Sequence, residues 1–211
     1  MLKQSLDQCM QRLDKTLREI PWNKKEVYAN YVAQTYYYSR HTTRLLAAVA
    51  SRIPFHQESL HRRFLKHAAE ETGHEKLTLN DLKFLGCDLR DFHELSSTRA
   101  FYKSQFQSIQ DDGPYAFFGY ILFLECLGAE KGNWLYETVA KHHGEKTVSF
   151  LKVHANEDVE HVREAFEQVQ KFEAPVLEQI EKDMMMSCYL FERMILDCAD
   201  LSQTQTGKKA S

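Results

Sequence analysis

The spacing of apolar residues divides the chain into helical stretches separated by a few strong breaks. An amphipathic run from about Ser5 to Glu19 stops at Pro21, and a second, from about Lys24 to Ile53, stops at Pro54. Val27, Tyr31, Tyr38, Leu45 and Ala48 recur in the second at helical intervals, with His41 on the same stripe. A third helix is predicted over about Gln57–Leu85, closed by Gly86, and a fourth over Thr98–Gln110. Asp111-Asp-Gly-Pro114 is a turn. The stretch Tyr115–Ala129 is apolar on every side, which predicts a buried central helix running on to about Lys141. His142-His143-Gly144 breaks it, and helices over about Glu145–Phe172 and Val176–Leu201 complete the pattern. The pattern predicts a compact all-α, seven-helix bundle forming a single domain over residues 1–201, with a disordered polar tail over 202–211.

Composition narrows this picture only slightly. At 211 residues the chain can bury a core unaided, and 8 Gly and 4 Pro leave few places to break helices. A net charge of -3 offers nothing to nucleic acid or to an anionic membrane surface. No apolar run is long enough to span a bilayer, and Met1–Asp7 lacks a signal region. The five cysteines form no CxxC pair, as expected of reduced thiols in the cytoplasm.

The chemistry is concentrated in three fragments. His154, Asp158 and His161 stand at i, i+4 and i+7, so at roughly 100° per residue they share a helix stripe about 60° wide. Two imidazoles and a carboxylate on one face suit a metal with open positions. Glu71 and His74 form a Glu-x-x-His fragment, the spacing with which bundles hold dinuclear carboxylate sites. Glu125 is the one group in Tyr115–Ala129 that ionises near neutral pH. Burying it costs several kcal/mol unless it is neutralised, paired with an arginine or bound to metal. Together these six residues supply three carboxylates and three imidazoles, which leave a net +1 against two Fe(II). A donor set of oxygen and nitrogen without thiolate favours iron, with manganese as the alternative.

At these residues the chain resembles the heme-oxygenase-like diiron oxidase and oxygenase superfamily. The likeness is carried by Glu71, His74 and Asp81-Leu-Lys-Phe-Leu-Gly86, by Glu125, and by His154-xxx-Asp158-xx-His161 about 30 residues further on. The helix Asn30–Leu46 is also similar to that superfamily's first core helix, and the resemblance spans roughly residues 25–200. It implies two iron ions held by Glu71, His74, Glu125, His154, Asp158 and His161, with O2 as co-substrate. The implied reaction oxidises a small organic molecule, amine-like or amino-acid-like, or a protein tyrosine such as Tyr31, Tyr38 or Tyr120. An external electron donor and a homodimer are compatible with this reading. Tyr38, His41, Phe117, Phe118 and Ile121 are the expected substrate-lining residues. His67, on the stripe of His74, is either an extra ligand or a donor behind the ligands, with a place behind them or at the surface expected first; Glu70 is the substitute for Glu71. Other proteins of the same fold set the alternatives: a haem enzyme with His41 as axial ligand, a thiaminase II-like enzyme using Cys126, or a cofactorless oxidase related to pyrroloquinoline quinone synthesis using Arg40, His41, Arg44 and Tyr36–Tyr38. A non-enzymatic helical effector with a structural metal is the remaining class.

Overall fold

The computed structural model describes residues 2–200, apart from the side chains of residues 156–160. The expected tail over 202–211 lies outside the described residues. Within them the chain forms α1 (Leu2–Glu19), α2 (Lys25–Ser39), α3 (Thr42–Ala50), α4 (Glu58–Glu70), α5 (Glu75–Phe84), α6 (Ser96–Asp111), α7 (Phe118–His143), α8 (Ser149–Val169) and α9 (Ala174–Ala199), with short 3-10 turns between some of them. The architecture is all-α, as the apolar spacing predicts. Nine segments replace seven because two of the predicted helices are each broken once.

Both breaks lie beside chemistry. The helix predicted over Gln57–Leu85 stops at Glu70 and restarts at Glu75. Gly73 causes this, since its φ of +97° belongs to no right-handed helix. Glu71 therefore closes α4 and His74 opens α5, so they do not share the continuous helical face that their spacing suggests. The second break, between α2 and α3, contains neither Gly nor Pro. Arg40 and His41 keep helical φ but have ψ of -11° and -10°. The backbone N–H of His41 then bonds the carbonyl of Tyr38, one residue short of the α pattern.

The central helix α7 packs against α8 and α9, while α5 bridges α2 and α8, and α1 lies along α9. Phe101, Phe117, Phe118, Phe123 and Phe191 are almost wholly buried around it. At Gly132, α7 and α8 nearly touch: a Cβ there would lie 3.0 Å from Ala155 Cβ and 3.1 Å from its Cα.

Two buried carboxylates join helices end to side. Asp81 on α5 accepts the backbone N–H of Ser149 at 2.8 Å and of Phe150 at 3.0 Å, with the Ser149 hydroxyl at 2.5 Å. It thereby caps α8, whose own N-terminal residue contributes no side-chain cap. Asp183 on α9 does the same for α7 by accepting the N–H of Tyr120 at 3.1 Å. Asp81→Ala is expected to destabilise the protein by about 2 kcal/mol, because two helix-end donors lose their partner; a urea midpoint shift measures this. Burial pushes the Asp183 carboxyl up to about 7. A raised carboxyl contributes stability below its ordinary value and loses it as pH rises through the folded value. The variant Asp183→Asn should therefore gain on the wild type between about pH 4 and pH 7, read from paired melting curves.

Candidate metal centre

The turn between α4 and α5 delivers Glu71 and His74 to a point where α7 presents Glu125 and α8 presents His154 and His161. Glu71 lies between two groups of donors. Its Oε1 is 3.7 Å from His67 Nε2, while its Oε2 is 3.5 Å from His74 Nδ1 and 4.0 Å from His154 Nε2. On the first side, Glu125 sits 3.4 Å from His67 Nε2 and 3.2 Å from His161 Nδ1. Each of the sets His67–Glu125–His161 and Glu71–His74–His154 brings three donor atoms within 4.8 Å of one another. An ion about 2.1 Å from its ligands holds neighbouring donors about 3.0 Å apart and opposite ones about 4.2 Å apart. The observed separations fall in or near that interval, and the donors are nitrogen and oxygen alone, so the residues fit a pair of iron ions. The side chain of Asp158 lies outside the described residues.

Electrostatics favour a cationic occupant. Glu125 is 7% exposed, and its charged partners among the described residues are His67 and His161 rather than an arginine. Arg63 pairs instead with Glu164, at 3.6 Å. Burial works against the Glu71 and Glu125 carboxylates, but hydrogen bonds from the histidines outweigh it and hold both below the usual carboxylate range. Burial likewise opposes charge on His67, yet Glu125 and Glu71 overcome it and raise the imidazole to about 9. Glu125 also raises His161. In the metal-free protein, protons thus fill the place of positive charge. His154 is set differently: its Nδ1–H donates to the Phe150 carbonyl at 3.0 Å, which leaves Nε2 facing Glu71.

A cavity of about 110 Å³ opens beside the cluster and is lined by His67, Glu71, Glu125 and His154. Its remaining wall is mostly apolar and follows α7 from Phe117 to Leu135, with Lys131 toward one end. Tyr38, Phe117 and Ile121 line it, as expected from the sequence. His41 and Phe118 do not. The break after Ser39 turns His41 away to stack on Tyr102 at 4.0 Å. Phe118 instead packs on Phe64 and Phe172, at 5.3 and 5.6 Å. The same break places Ser39 and Thr42 on the cavity wall, which the apolar spacing did not suggest. Cys126 is buried and absent from that wall. His67 is 5% exposed and inside the donor cluster, the less expected of the places open to it. Its four-residue interval from Glu71 was the available signal, since one helical turn separates them.

The arrangement of helices is heme-oxygenase-like. A crystal structure of a domain of unknown function with a heme oxygenase-like fold from Shewanella denitrificans matches with a TM-score of 0.85 at 20% identity, covering 100% of this chain and 98% of that one. A TenA homologue from Pseudomonas syringae matches at 0.77 and 15% identity, over 93% and 90% of the two chains. A TenA homologue from Pyrococcus furiosus matches at 0.73 and 13% identity, over 94% and 100%. No curated protein matches the sequence. The family model for iron-containing redox enzymes matches residues 29–190, and the chain belongs to that family. Among the described residues, no helix is long and apolar enough to cross a membrane.

A cation bound among these donors would displace the protons held by His67 and His161, so metal affinity should keep rising up to about pH 9 instead of levelling near the ordinary imidazole value of about 6.5. The sign for the metal-free fold is opposite: stability from His67 is complete below about 6.5 and is lost as pH rises through about 9. Competition with a metal indicator across this range measures the first effect. An affinity flat above pH 7 would show that no shifted imidazole is displaced.

Proposed function

We propose that this protein is a non-haem diiron oxidase or oxygenase that uses O2 to oxidise a small, largely apolar organic molecule. The observation that carries this reading is Glu71, whose two oxygens face separate imidazole sets, both opening onto one cavity. One carboxylate shared between two such sets is what a pair of metal ions requires. Glu71, His74, Glu125, His154, Asp158 and His161 are the proposed ligands, with manganese the alternative metal. When bound, two Fe(II) supply the first electrons for O2 reduction; the substrate or an external donor supplies the rest.

The chain's own residues do the remaining work. The apolar wall formed by Phe117, Ile121, Leu124 and Phe191 excludes water and holds a hydrophobic body against the cluster. Two cavity-lining hydroxyls, Tyr120 Oη and Ser39 Oγ, are buried with no hydrogen-bond partner among the described residues. They are proposed to bind a polar group of the substrate, since a buried hydroxyl left unpaired costs about 1–3 kcal/mol. Tyr31, Tyr38 and Tyr120 are also the tyrosines placed to be oxidised in a self-modifying reaction, as all three line the cavity. The TenA homologues share the fold, but a thiol mechanism gains no support from the position of Cys126 away from the cavity.

Anaerobic titration should give two Fe(II) per chain, and admitting O2 should then cause rapid uptake. Asp158→Ala and His161→Ala are each expected to lower that uptake at least 100-fold (on the order of a lost metal ligand) while the far-ultraviolet helical signal is kept. Wild-type uptake in both variants would refute the proposal.

A further inference from the structure

We propose that His67 is itself a metal ligand, a seventh protein donor that makes the two metal positions unequal. This rests on the diiron reading above. His67 sits on α4, one turn before Glu71, and its side chain is almost wholly buried. Nε2 points into the cluster, 3.4 Å from Glu125 Oε1 and 3.7 Å from Glu71 Oε1, and the ring lies 4.9 Å from that of His161. The other nitrogen, Nδ1, is buried and has no hydrogen-bond partner among the described residues.

That asymmetry is the argument. A histidine kept for packing, or to orient a neighbour, commonly anchors one nitrogen on a carbonyl or in water. His143 does so in this fold with the Trp22 carbonyl, at 2.6 Å, and His61 with that of Ala50, at 2.8 Å. Nothing holds His67 from the Nδ1 side, so the desolvation of the ring is offset only at Nε2, where it meets two carboxylates. A cation shared with those carboxylates satisfies all three groups at once.

The consequence is an order of filling. With His67 counted, the Glu125 position gathers His67, His161, Glu125 and one oxygen of Glu71. The other position gathers His74, His154 and the second oxygen of Glu71 among the described residues. The first set is also the more deeply buried. The Glu125 position therefore binds first and more tightly, and the His74–His154 position loads second and exchanges faster.

Cobalt(II) substitution tests this without turnover. Proton NMR of the wild type at two equivalents of Co(II) resolves the shifted, exchangeable imidazole N–H signals of coordinated histidines. Four such signals are expected, and three would overturn the proposal. In His67→Asn the count should fall to three and the tighter binding step should weaken at least tenfold, whereas His74→Asn should weaken only the second step. Binding by His67→Asn within twofold of the wild type at both steps, with helical content kept, would also overturn it. If the wild type bound no cobalt, iron or manganese, the diiron reading would fail with it, and that outcome is distinct from a count of three.

Discussion

The burial of negative charge governs this structure. Glu125 is placed on the long, largely apolar central helix, and Glu71 is brought toward it from the turn between α4 and α5. Two carboxylates in so dry a setting repel each other and lose their hydration, a combination that would unfold many small domains. Compensation comes from imidazoles on α4, α5 and α8: Glu125 and Glu71 raise His67 and His161, which hold protons that a cation can replace, while His74 and His154 turn a ring nitrogen toward Glu71. The helices are arranged so that Glu71 and Glu125, brought inward from the α4–α5 turn and from α7, meet histidines from α4, α5 and α8.

Such a cluster needs stiff supports, and two further buried carboxyl groups provide them through hydrogen bonds. Asp81 ties the first turn of α8 to α5, and Asp183 ties the first turn of α7 to α9. The tie at Asp81 has a direct geometric effect: α5 begins at His74 and α8 carries His154, so the same bond that caps a helix also sets one imidazole against another. Helix dipoles assist, since Asp81 and Asp183 each face an N-terminal end. Scaffold and site are thus stabilised by the same kind of interaction at different places in the chain.

Much of this was legible from residue order. Apolar periodicity located the helical stretches though not the two breaks within them, and the lone Glu125 within Tyr115–Ala129 marked a carboxylate that the fold buries. What escaped was local. The break after Ser39 has no glycine or proline to announce it, so His41 seemed to share a stripe with Tyr38 when a tightened turn rotates it away. Gly73 was visible but reads as tolerable inside a helix until its positive φ is known. His67 was ranked behind the ligands or at the surface, with a ligand role as the lesser alternative; its spacing from Glu71 hinted at a shared face, and tertiary packing shows that this face turns inward. The two capping aspartates join residues 63 or more positions apart, a distance over which periodicity carries no information.

The near contact of Gly132 with Ala155 bears on how such an enzyme could diversify. Both residues line the cavity, and Ala155 directly follows His154. A lineage that enlarged residue 132 to reshape its pocket would push α8 outward and carry an imidazole away from Glu71 at the same time. Selection for new chemistry on that wall is therefore coupled to loss of the centre. The wall at Ser39 and Thr42 bears no such burden, because the α2–α3 turn holds none of the clustered donors. Substitution there leaves the donor cluster in place, so that stretch of wall is where specificity has room to change.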